Sequence, residues 1–245
     1  MESLRNRATV RRYLDKEVDS ALLETLLETA FRSSNTGNMQ LYSVIVSRDA
    51  ATKQALAPCH FHQPQMAAPV VLTFCADLHR YSQWCLQRKA SPGFDNIQSL
   101  AYASVDAVIA AQTFCVAAEE AGLGICYLGT TTYTAGQIVD VLRLPPLVFP
   151  IATVTLGWPA EKPEPCERLP LEAIVHSETY HDYAPADIDR LFAEKEQLPA
   201  NRHYVEINGK ETLAQVFTDI RYTRRDNELF SEELLKTLRR QGFLK

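Results

Sequence analysis

Two arginines and a threonine stand at alternate positions near the start of this 245-residue chain. If residues 7–11 are extended, Arg7, Thr9 and Arg11 project from one side of the backbone. A guanidinium group matches phosphate or carboxylate oxygens through two parallel hydrogen bonds. The segment therefore predicts a cradle for a small anion, and a solvated basic arm is the alternative that charge alone favours.

A second polar cluster occupies a turn just before a predicted strand, with Asn35, Thr36, Asn38 and Gln40 close together. Amide side chains offer both donors and acceptors, which suits a ligand edge that alternates N–H and C=O groups. The alternative is an Asx-type turn in which these side chains only stabilise their own backbone.

The third candidate is the glycine-containing sequence GLGICYLG at residues 122–129. Its glycine spacing is not that of a dinucleotide-binding fingerprint, and it follows a predicted helix instead of a strand. Glycine can nevertheless bring backbone N–H groups close to a flat ligand because it has no side chain. The segment therefore argues against a Rossmann site but allows contact with a planar group.

Composition narrows the class of protein. Hydrophobic residues make up 46% and charged residues 22% of the chain, as in ordinary soluble domains. The net charge of −5 argues against a general nucleic-acid binder. Six cysteines without a CxxC pair, and an N-terminus without a secretory pattern, predict a reducing, cytoplasmic location. Cys59, His60 and His62 fit no standard metal spacing, so no metal is expected.

The predicted elements alternate helices and strands without a repeat or a clean linker. Helix signals cover residues 19–31, 50–56, 99–121 and 135–142, and strand signals cover residues 41–47, 70–77 and 151–157. Asp106 within the apolar 99–121 helix argues against a membrane span and for a buried helix. A mobile lid of about twenty residues is expected after residue 77, because loops of that length are commonly functional.

After an extended, proline-rich stretch at residues 158–170, the tail is predicted to alternate helices with an extended piece. The helices cover residues 187–197, 211–220 and 231–241, and the extended piece is HYVEING at residues 203–209. The pattern favours one α+β domain with a long C-terminal arm.

Several of these segments together carry a resemblance. They are residues 7–11 followed by Tyr13 and Asp15, SSNTGNMQ at 33–40, VVLTFCAD at 70–77, GLGICYLG at 122–129 and LGWPAEKPEPCERLP at 156–170, in that order. Over roughly residues 1–180, the chain resembles the nitroreductase family. Within it, the chain is most similar to the NADPH-dependent FMN oxidoreductases that act on nitro compounds and flavins.

The resemblance implies an α+β fold in which a mixed, mainly antiparallel sheet is flanked by helices. It also implies an intertwined homodimer that exchanges its C-terminal arms. Residues 1–180 would form the FMN-binding domain. Residues 181–245 would form a helical and extended arm, part of the same fold unit, that packs on the partner subunit.

The resemblance also implies which residues bind FMN. The phosphate and ribityl chain would be held by Arg7, Ala8, Thr9, Arg11 and Arg168, although Cys166 stands where the subgroup has lysine. The turn beside the ring would supply Asn35, Thr36, Asn38 and Gln40. Gln63 would meet the pyrimidine edge, with His62 and Gln65 as alternatives, and the flavin N5 and O4 would be approached by Tyr127, Leu128, Gly129 and Thr130.

The activity implied is that of an FMN-dependent oxidoreductase that takes hydride from NADPH or NADH and reduces nitroaromatics, quinones or flavins in a ping-pong scheme. The flavin performs this chemistry, so no protein side chain is expected to be catalytic. Other flavin chemistry on the same fold, or a noncatalytic flavin-delivery protein, are the alternatives. The expected partners are a small-molecule electron acceptor and a second copy of the chain, without nucleic acid or membrane.

Overall fold

The computed structural model describes residues 2–245, with side chains from Leu4 onward. Its contacts divide the chain into two compact units. The first, here called the core unit, contains the chain up to Pro165 together with Phe230–Lys245, and the second unit is Cys166–Leu229. The predicted boundary at residue 180 separates the FMN-binding residues from the C-terminal arm. It describes binding and not compactness, and it stays a prediction.

The core unit is built on a four-stranded sheet. Its strands are β1 (Tyr42–Ser47), β2 (Val70–Asp77), β3 (Gly124–Leu128) and β4 (Val148–Gly157). The strand order is β1-β2-β4-β3, and each neighbouring pair is antiparallel. Across the middle of the sheet, Thr73 of β2 pairs with Thr153 of β4, which in turn pairs with Leu128 of β3. The predicted α+β class and largely antiparallel sheet are confirmed.

Helices flank this sheet and form most of the second unit. The core unit contains α1 (Glu2–Arg5), α2 (Ser20–Ala30), α3 (Ala50–Leu56), α4 (His79–Gln87), α5 (Ile97–Glu120) and α6 (Ala135–Leu142). The second unit contains α7 (Pro185–Gln197), α8 (Pro199–Ile207) and α9 (Leu213–Val216), which a π-helical turn at Phe217–Arg221 extends. The last helix, α10 (Arg224–Arg240), begins in the second unit and ends in the core unit.

The central helix α5 packs closely on β2 and α2 because small side chains line its inner face. Ala103, Ala107, Ala110, Ala111 and Ala118 are completely buried. Asn96 caps its start by accepting a hydrogen bond from Ser99 N, and Gly122, with φ of 80°, follows its end. By length and hydropathy, α5 meets the criteria for a membrane span. Its buried face and the buried Asp106 instead fit a core helix, as predicted.

Two element predictions are wrong. The first half of the expected mobile loop or lid after β2 is instead α4, in which Ser82 and Cys85 are buried, while residues 88–96 form neither helix nor strand. Tyr81 packs against Trp84 and Phe94 at ring-centroid distances of 5.1 and 5.5 Å, so these aromatic side chains anchor the segment. The expected extended piece at residues 203–209 lies largely in α8, because Pro199 at its first position favours the start of a helix, in which no residue is buried.

The end of the chain packs on the core unit of its own subunit. Leu238 and Phe243 are buried with Leu41 and Phe149. The Gln241 side chain donates to the carbonyl oxygens of Pro145 and Val148, at 2.9 and 2.6 Å. Residues 230–245 of the predicted arm therefore belong to the same subunit's core, and arm exchange stays a prediction for the rest.

The N-terminal segment is fixed along the edge and end of the sheet. Val10 N donates to Ile125 O at 3.1 Å, and Leu14 N donates to Trp158 O at 2.8 Å. Between them, the Tyr13 hydroxyl lies 2.7 Å from Thr155 Oγ1. Because Gly124 has no side chain, Val10 can lie directly over β3.

We expect Gly124→Ala to destabilise the protein by roughly 1–3 kcal/mol, the usual cost of overpacking a core. The added Cβ would lie 2.7 Å from three side-chain carbons of Val10, so the N-terminal segment would have to shift. Urea-induced unfolding measures the effect. Gly93→Ala is the matched control, since its Cβ would meet no atom within 4 Å, and equal midpoints for the two variants would contradict the prediction.

Candidate functional site

The two predicted phosphate-binding arginines lie on either side of one position in β3. Residues 7–12 lack helix or strand, with Val10 buried and Arg11 exposed. Burial raises the pKa of the Cys126 thiol, and the positive charges of Arg11 and Arg7 oppose that rise. Both guanidinium groups are therefore near Cys126, as the alternating pattern predicts. Ala8 and Thr9 lie between them, half-buried.

Arg7 has hydrogen-bonding capacity that its surroundings do not use. Its Nε lies 3.3 Å from Glu119 Oε1, close enough for an ion pair. Among residues 2–245, however, this buried Nε has no partner with hydrogen-bond geometry. Burial raises the pKa of Glu119, and Arg7 partly offsets that effect. Arg7 is therefore held near the Glu119 carboxylate by charge, without a hydrogen bond of good geometry.

Glu161 fixes the backbone next to Arg11. Its Oε1 accepts hydrogen bonds from Arg11 N at 2.9 Å and from Arg12 N at 3.2 Å, and its Oε2 accepts one from Arg12 Nε at 2.8 Å. These bonds lower the pKa of Glu161, so it stays a carboxylate. The Arg12 side chain is thus engaged, whereas the side chain of Arg11 remains exposed.

Two glutamines reach the same part of β3. Gln65 Nε2 donates to Gln63 Oε1 at 2.9 Å and approaches Cys126 Sγ at 3.9 Å. Gln65 is buried, Gln63 is half-buried, and His62 is exposed. The amides of Gln63 and Gln65 therefore act as a pair. Of the three residues considered for the pyrimidine edge, the two glutamines therefore lie near β3.

The turn after β3 offers open space. A Cβ added at Gly129 would meet no atom within 4 Å. Beside it, Thr130 is buried, and its Oγ1 lies 2.8 Å from Nδ1 of the fully buried His60. Leu128 is buried, and burial raises the pKa of the Tyr127 hydroxyl. The backbone at Gly129 is therefore uncovered, while its neighbours Leu128 and Thr130 are buried. Such a backbone can contact the edge of a flat molecule.

The predicted amide turn is held by α5. Thr36 N and Thr36 Oγ1 both donate to Asp106 Oδ1 at 2.9 Å, and Gln40 N donates to Asn35 Oδ1 at 3.1 Å. Asn38 and Gln40 adopt positive φ angles of 56° and 52°. Part of this cluster therefore stabilises its own turn, as the alternative interpretation predicts.

The amide turn and the arginine pair lie far apart in one subunit. The turn is attached to Asp106, and Arg7 pairs with Glu119, on the same helix α5. At 1.5 Å per residue, the separation of thirteen positions between Asp106 and Glu119 corresponds to about 20 Å. The structure therefore places Arg7, Arg11 and the Gln63–Gln65 pair around Cys126 of β3, next to residues 127–130, and it does not bring residues 35–40 to them.

Arg168 belongs to the second unit. Its Nη1 donates to the carbonyl oxygens of Cys166 and Glu167, at 3.1 and 2.9 Å. The Glu167 carboxylate pairs with Lys195 at 3.2 Å. The role of Arg168 in phosphate binding stays a prediction.

Sequence reasoning missed three polar residues at this site: His60, Glu119 and Glu161. His60 was weighed only as a metal ligand. In the described part of the chain, no group of three His, Cys, Asp or Glu residues could hold a metal ion. Glu119 and Glu161 are distant from residues 7–12 in sequence, so only the fold reveals their contacts.

We expect His60 to make the protein less stable in mild acid. Burial lowers the pKa of His60 from 6.5 to about 4, so the unfolded chain takes up this proton at a higher pH than the folded chain. Its contribution is complete above pH 6.5 and is lost as pH falls towards 4. Between pH 7 and pH 4.5, the free energy of unfolding should therefore fall by roughly 2 kcal/mol less in His60→Gln than in the wild type.

Urea unfolding at the two pH values measures this difference. His62→Gln is the matched control because His62 is exposed, and it should retain the wild-type dependence. An unchanged pH dependence in His60→Gln would show that His60 is not the titrating group.

Comparison with known proteins gives a consistent assignment. The model of the nitroreductase family matches residues 4–158. The chain is 31% identical over 246 residues to an oxygen-insensitive NADPH nitroreductase of Salmonella typhimurium, with 99% of this chain and 97% of the relative covered. It is 30% identical over 184 residues to an FMN reductase (NADPH) of Bacillus subtilis, with 74% of each covered.

Solved structures agree with these matches. A protein from Bacteroides fragilis has 58% sequence identity and a TM-score of 0.98, with both chains covered completely. The nitroreductase NfrA1 from Bacillus subtilis has 26% identity and a TM-score of 0.86, covering 99% of this chain and 98% of the other. Since the family model covers more than half of the sequence, this chain belongs to the nitroreductase family.

Proposed function

We propose that this protein is an FMN-dependent NAD(P)H oxidoreductase that reduces nitroaromatics, quinones or flavins. The observation that carries the proposal is that Arg7, Arg11 and the glutamine pair all act on Cys126 of β3, three residues before the open Gly129. The names of the relatives from Salmonella typhimurium and Bacillus subtilis support the same cofactor and electron donor.

The residues present fit FMN. Its phosphate carries negative oxygen atoms, and Arg7 supplies a positive charge near β3, with Glu119 as its ion-pair partner. The exposed guanidinium of Arg11 adds a second positive group beside it. The amides of Gln63 and Gln65 can pair with alternating donors and acceptors on a ring edge. Gly129 leaves room for that ring because a side chain there would occupy open space.

When bound, FMN would accept hydride from NADPH or NADH and pass the electrons to a second substrate. The role of the chain is to bind and orient it. Arg7 and Arg11 would hold the phosphate, while Gln63 and the backbone of residues 127–130 would orient the ring. Buried apolar residues of β3, such as Ile125 and Leu128, keep water away from the inner side. We also assign Arg168 to the phosphate, with Cys166 supplying no positive charge.

We further propose that the site is completed in a homodimer. The amide turn at residues 35–40 is too far from Arg7 within one subunit to contact the same flavin, since about 20 Å of α5 separates their anchors. The same helix exposes Val105 and Val108, whose side chains are 56% and 47% exposed near its middle. A second copy packed on this face would cover the valines and bring its own turn to the β3 end.

Residues 1–180 would then act as the FMN-binding part of the chain, with the following residues as an arm on the partner. We expect the protein to work in the cytoplasm, where its six free thiols would stay reduced. A negatively charged chain of this kind is not expected to bind nucleic acid.

The absorption spectrum of the protein with added FMN tests the function. We expect about one FMN per chain, loss of the flavin absorption band on anaerobic addition of NADPH, and its return with a nitroaromatic or quinone acceptor. FMN that binds but stays oxidised would favour the delivery role, and a protein that takes up no FMN would contradict the assignment.

Arg11→Ala should weaken FMN binding by about 10- to 100-fold, the usual effect of losing one charge-assisted hydrogen bond. Its folding should be unaffected because the Arg11 side chain is exposed. Titration of the apoprotein with FMN, followed by flavin fluorescence, gives the dissociation constant. Arg88→Ala removes an exposed arginine at the end of α4 and serves as the control, so an equal loss in both variants would argue against a phosphate cradle at Arg11.

The homodimer predicts a dependence of assembly on the outer face of α5. Val105→Lys should convert the dimer to a monomer and weaken FMN retention, because a charge would be buried at the interface without a partner. Light scattering measures the mass, and Gln87→Lys, at an exposed position of α4, is the control. A wild-type monomer that retains FMN would contradict the shared site.

A further inference from the structure

One buried histidine has no role in the function proposed above. His60 is completely buried, and its Nδ1 lies 2.8 Å from Thr130 Oγ1. Its Nε2 is also buried and, within residues 2–245, has no hydrogen-bond partner. Buried polar groups in native proteins are nearly always paired, so an unpaired ring nitrogen points to a constraint other than stability.

The surroundings of His60 define which nitrogen carries the proton. Burial lowers its pKa to about 4, so the ring is neutral at physiological pH and has a single N–H group. A proton on Nε2 would be a buried donor without an acceptor, which is rarer in proteins than an acceptor without a donor. A proton on Nδ1 instead points to Thr130 Oγ1. The Nδ1–H tautomer is therefore favoured.

This tautomer determines what the Thr130 hydroxyl can do. A hydroxyl that accepts a hydrogen bond from His60 keeps its own proton for a different acceptor. The backbone of Thr130 is fixed, because its carbonyl oxygen accepts from Tyr133 N at 3.0 Å and from Thr134 Oγ1 at 3.2 Å. Next to it, Gly129 borders open space. The residue that carries this donor is thus the immediate chain neighbour of the open position proposed for the ring.

The chain around His60 is held in an unfavourable conformation. Phe61 and His62, which follow it, have φ angles of 51° and 52°, in the left-handed region that bulky residues rarely adopt. Thr134 Oγ1 ties the preceding residue by donating to Cys59 O at 2.6 Å. The strained turn places Gln63 three residues after His60. Such strain is typical of functional sites, and here it links the glutamine pair to Thr130.

We propose that His60 is a positioning residue for the cofactor: it donates from Nδ1 and thereby orients the Thr130 hydroxyl as a hydrogen-bond donor to the bound flavin ring. This inference rests on the proposed FMN binding. A donor at the ring stabilises the form that carries more negative charge. The pair should therefore strengthen the binding of reduced FMN relative to oxidised FMN.

The reduction potential of protein-bound FMN, measured anaerobically against a reference dye, tests the pair. Thr130→Val should lower the affinity ratio of reduced to oxidised FMN by about tenfold, which corresponds to about 30 mV in a two-electron potential. Thr130→Ser keeps the hydroxyl and should retain the wild-type value. His60→Phe should shift the potential in the same direction as Thr130→Val.

The double variant His60→Phe/Thr130→Val should have the potential of Thr130→Val alone, because His60 acts through the hydroxyl. Additive shifts, or no shift in His60→Phe, would overturn the proposal. If His60→Phe does not fold, His60→Gln replaces it. The glutamine amide can donate to Thr130, so its potential should lie closer to that of the wild type.

Nitrogen NMR of histidine-labelled protein without FMN checks the tautomer separately. We expect a protonated Nδ1 and an unprotonated Nε2 at pH 7, and the reverse pattern would overturn the proposal. A wild-type protein that takes up no FMN would overturn the proposed function itself. A shift seen only in Thr130→Val would leave that function standing and exclude the role of His60.

Discussion

The close approach of the N-terminal segment to the end of the sheet is the contact on which the site depends. Val10 lies over β3 where Gly124 has no side chain, and its backbone N–H bonds to Ile125 O. With Val10 facing inward, the backbone alternates so that its neighbours on either side face outward. The positive charges of Arg7 and Arg11, on either side of Val10 in the chain, both act on Cys126 of the same strand. A larger residue at position 124 would move the whole basic segment.

The site also depends on polar groups that are buried but paired. Asp106 is 1% exposed in the middle of α5, where a lone carboxylate would be costly. It is stabilised by Thr36 and Leu41, whose N–H groups and hydroxyl close the amide turn. At the C-terminal end of the helix, Glu119 holds Arg7 near the sheet. The same helix therefore fixes two segments that are both expected to contact FMN, one near its middle and one at its end.

Local signals allowed much of the fold to be predicted. Asp19 caps α2 as expected, and the bounds of α3, β2 and α6 follow directly from caps, prolines and apolar runs. The helices α4 and α8 are not apparent from the sequence because their residues are mostly polar and give a weak apolar period. At the candidate site, the residue types at 7–11 and 122–129 predict a small anion and a planar group. The contacts of Gln65 with Cys126 and of His60 with Thr130 depend on the fold and cannot be predicted from sequence spacing.

The separation of the two ligand-binding segments has a consequence for how the site can evolve and assemble. A turn fixed to Asp106 and an arginine fixed to Glu119 cannot approach each other, because a straight helix keeps their anchors about 20 Å apart. If both segments bind one flavin, they must come from different subunits, and the rigidity of α5 then sets the distance between the two sites of the dimer. Val105 lies next to the anchor Asp106, and Val108 lies between the two anchors. Both valines are exposed on α5, where a partner helix would have to pack. In such a dimer, cofactor binding and association would depend on the same helix, FMN would stabilise the dimer, and dimer formation would increase the affinity for FMN.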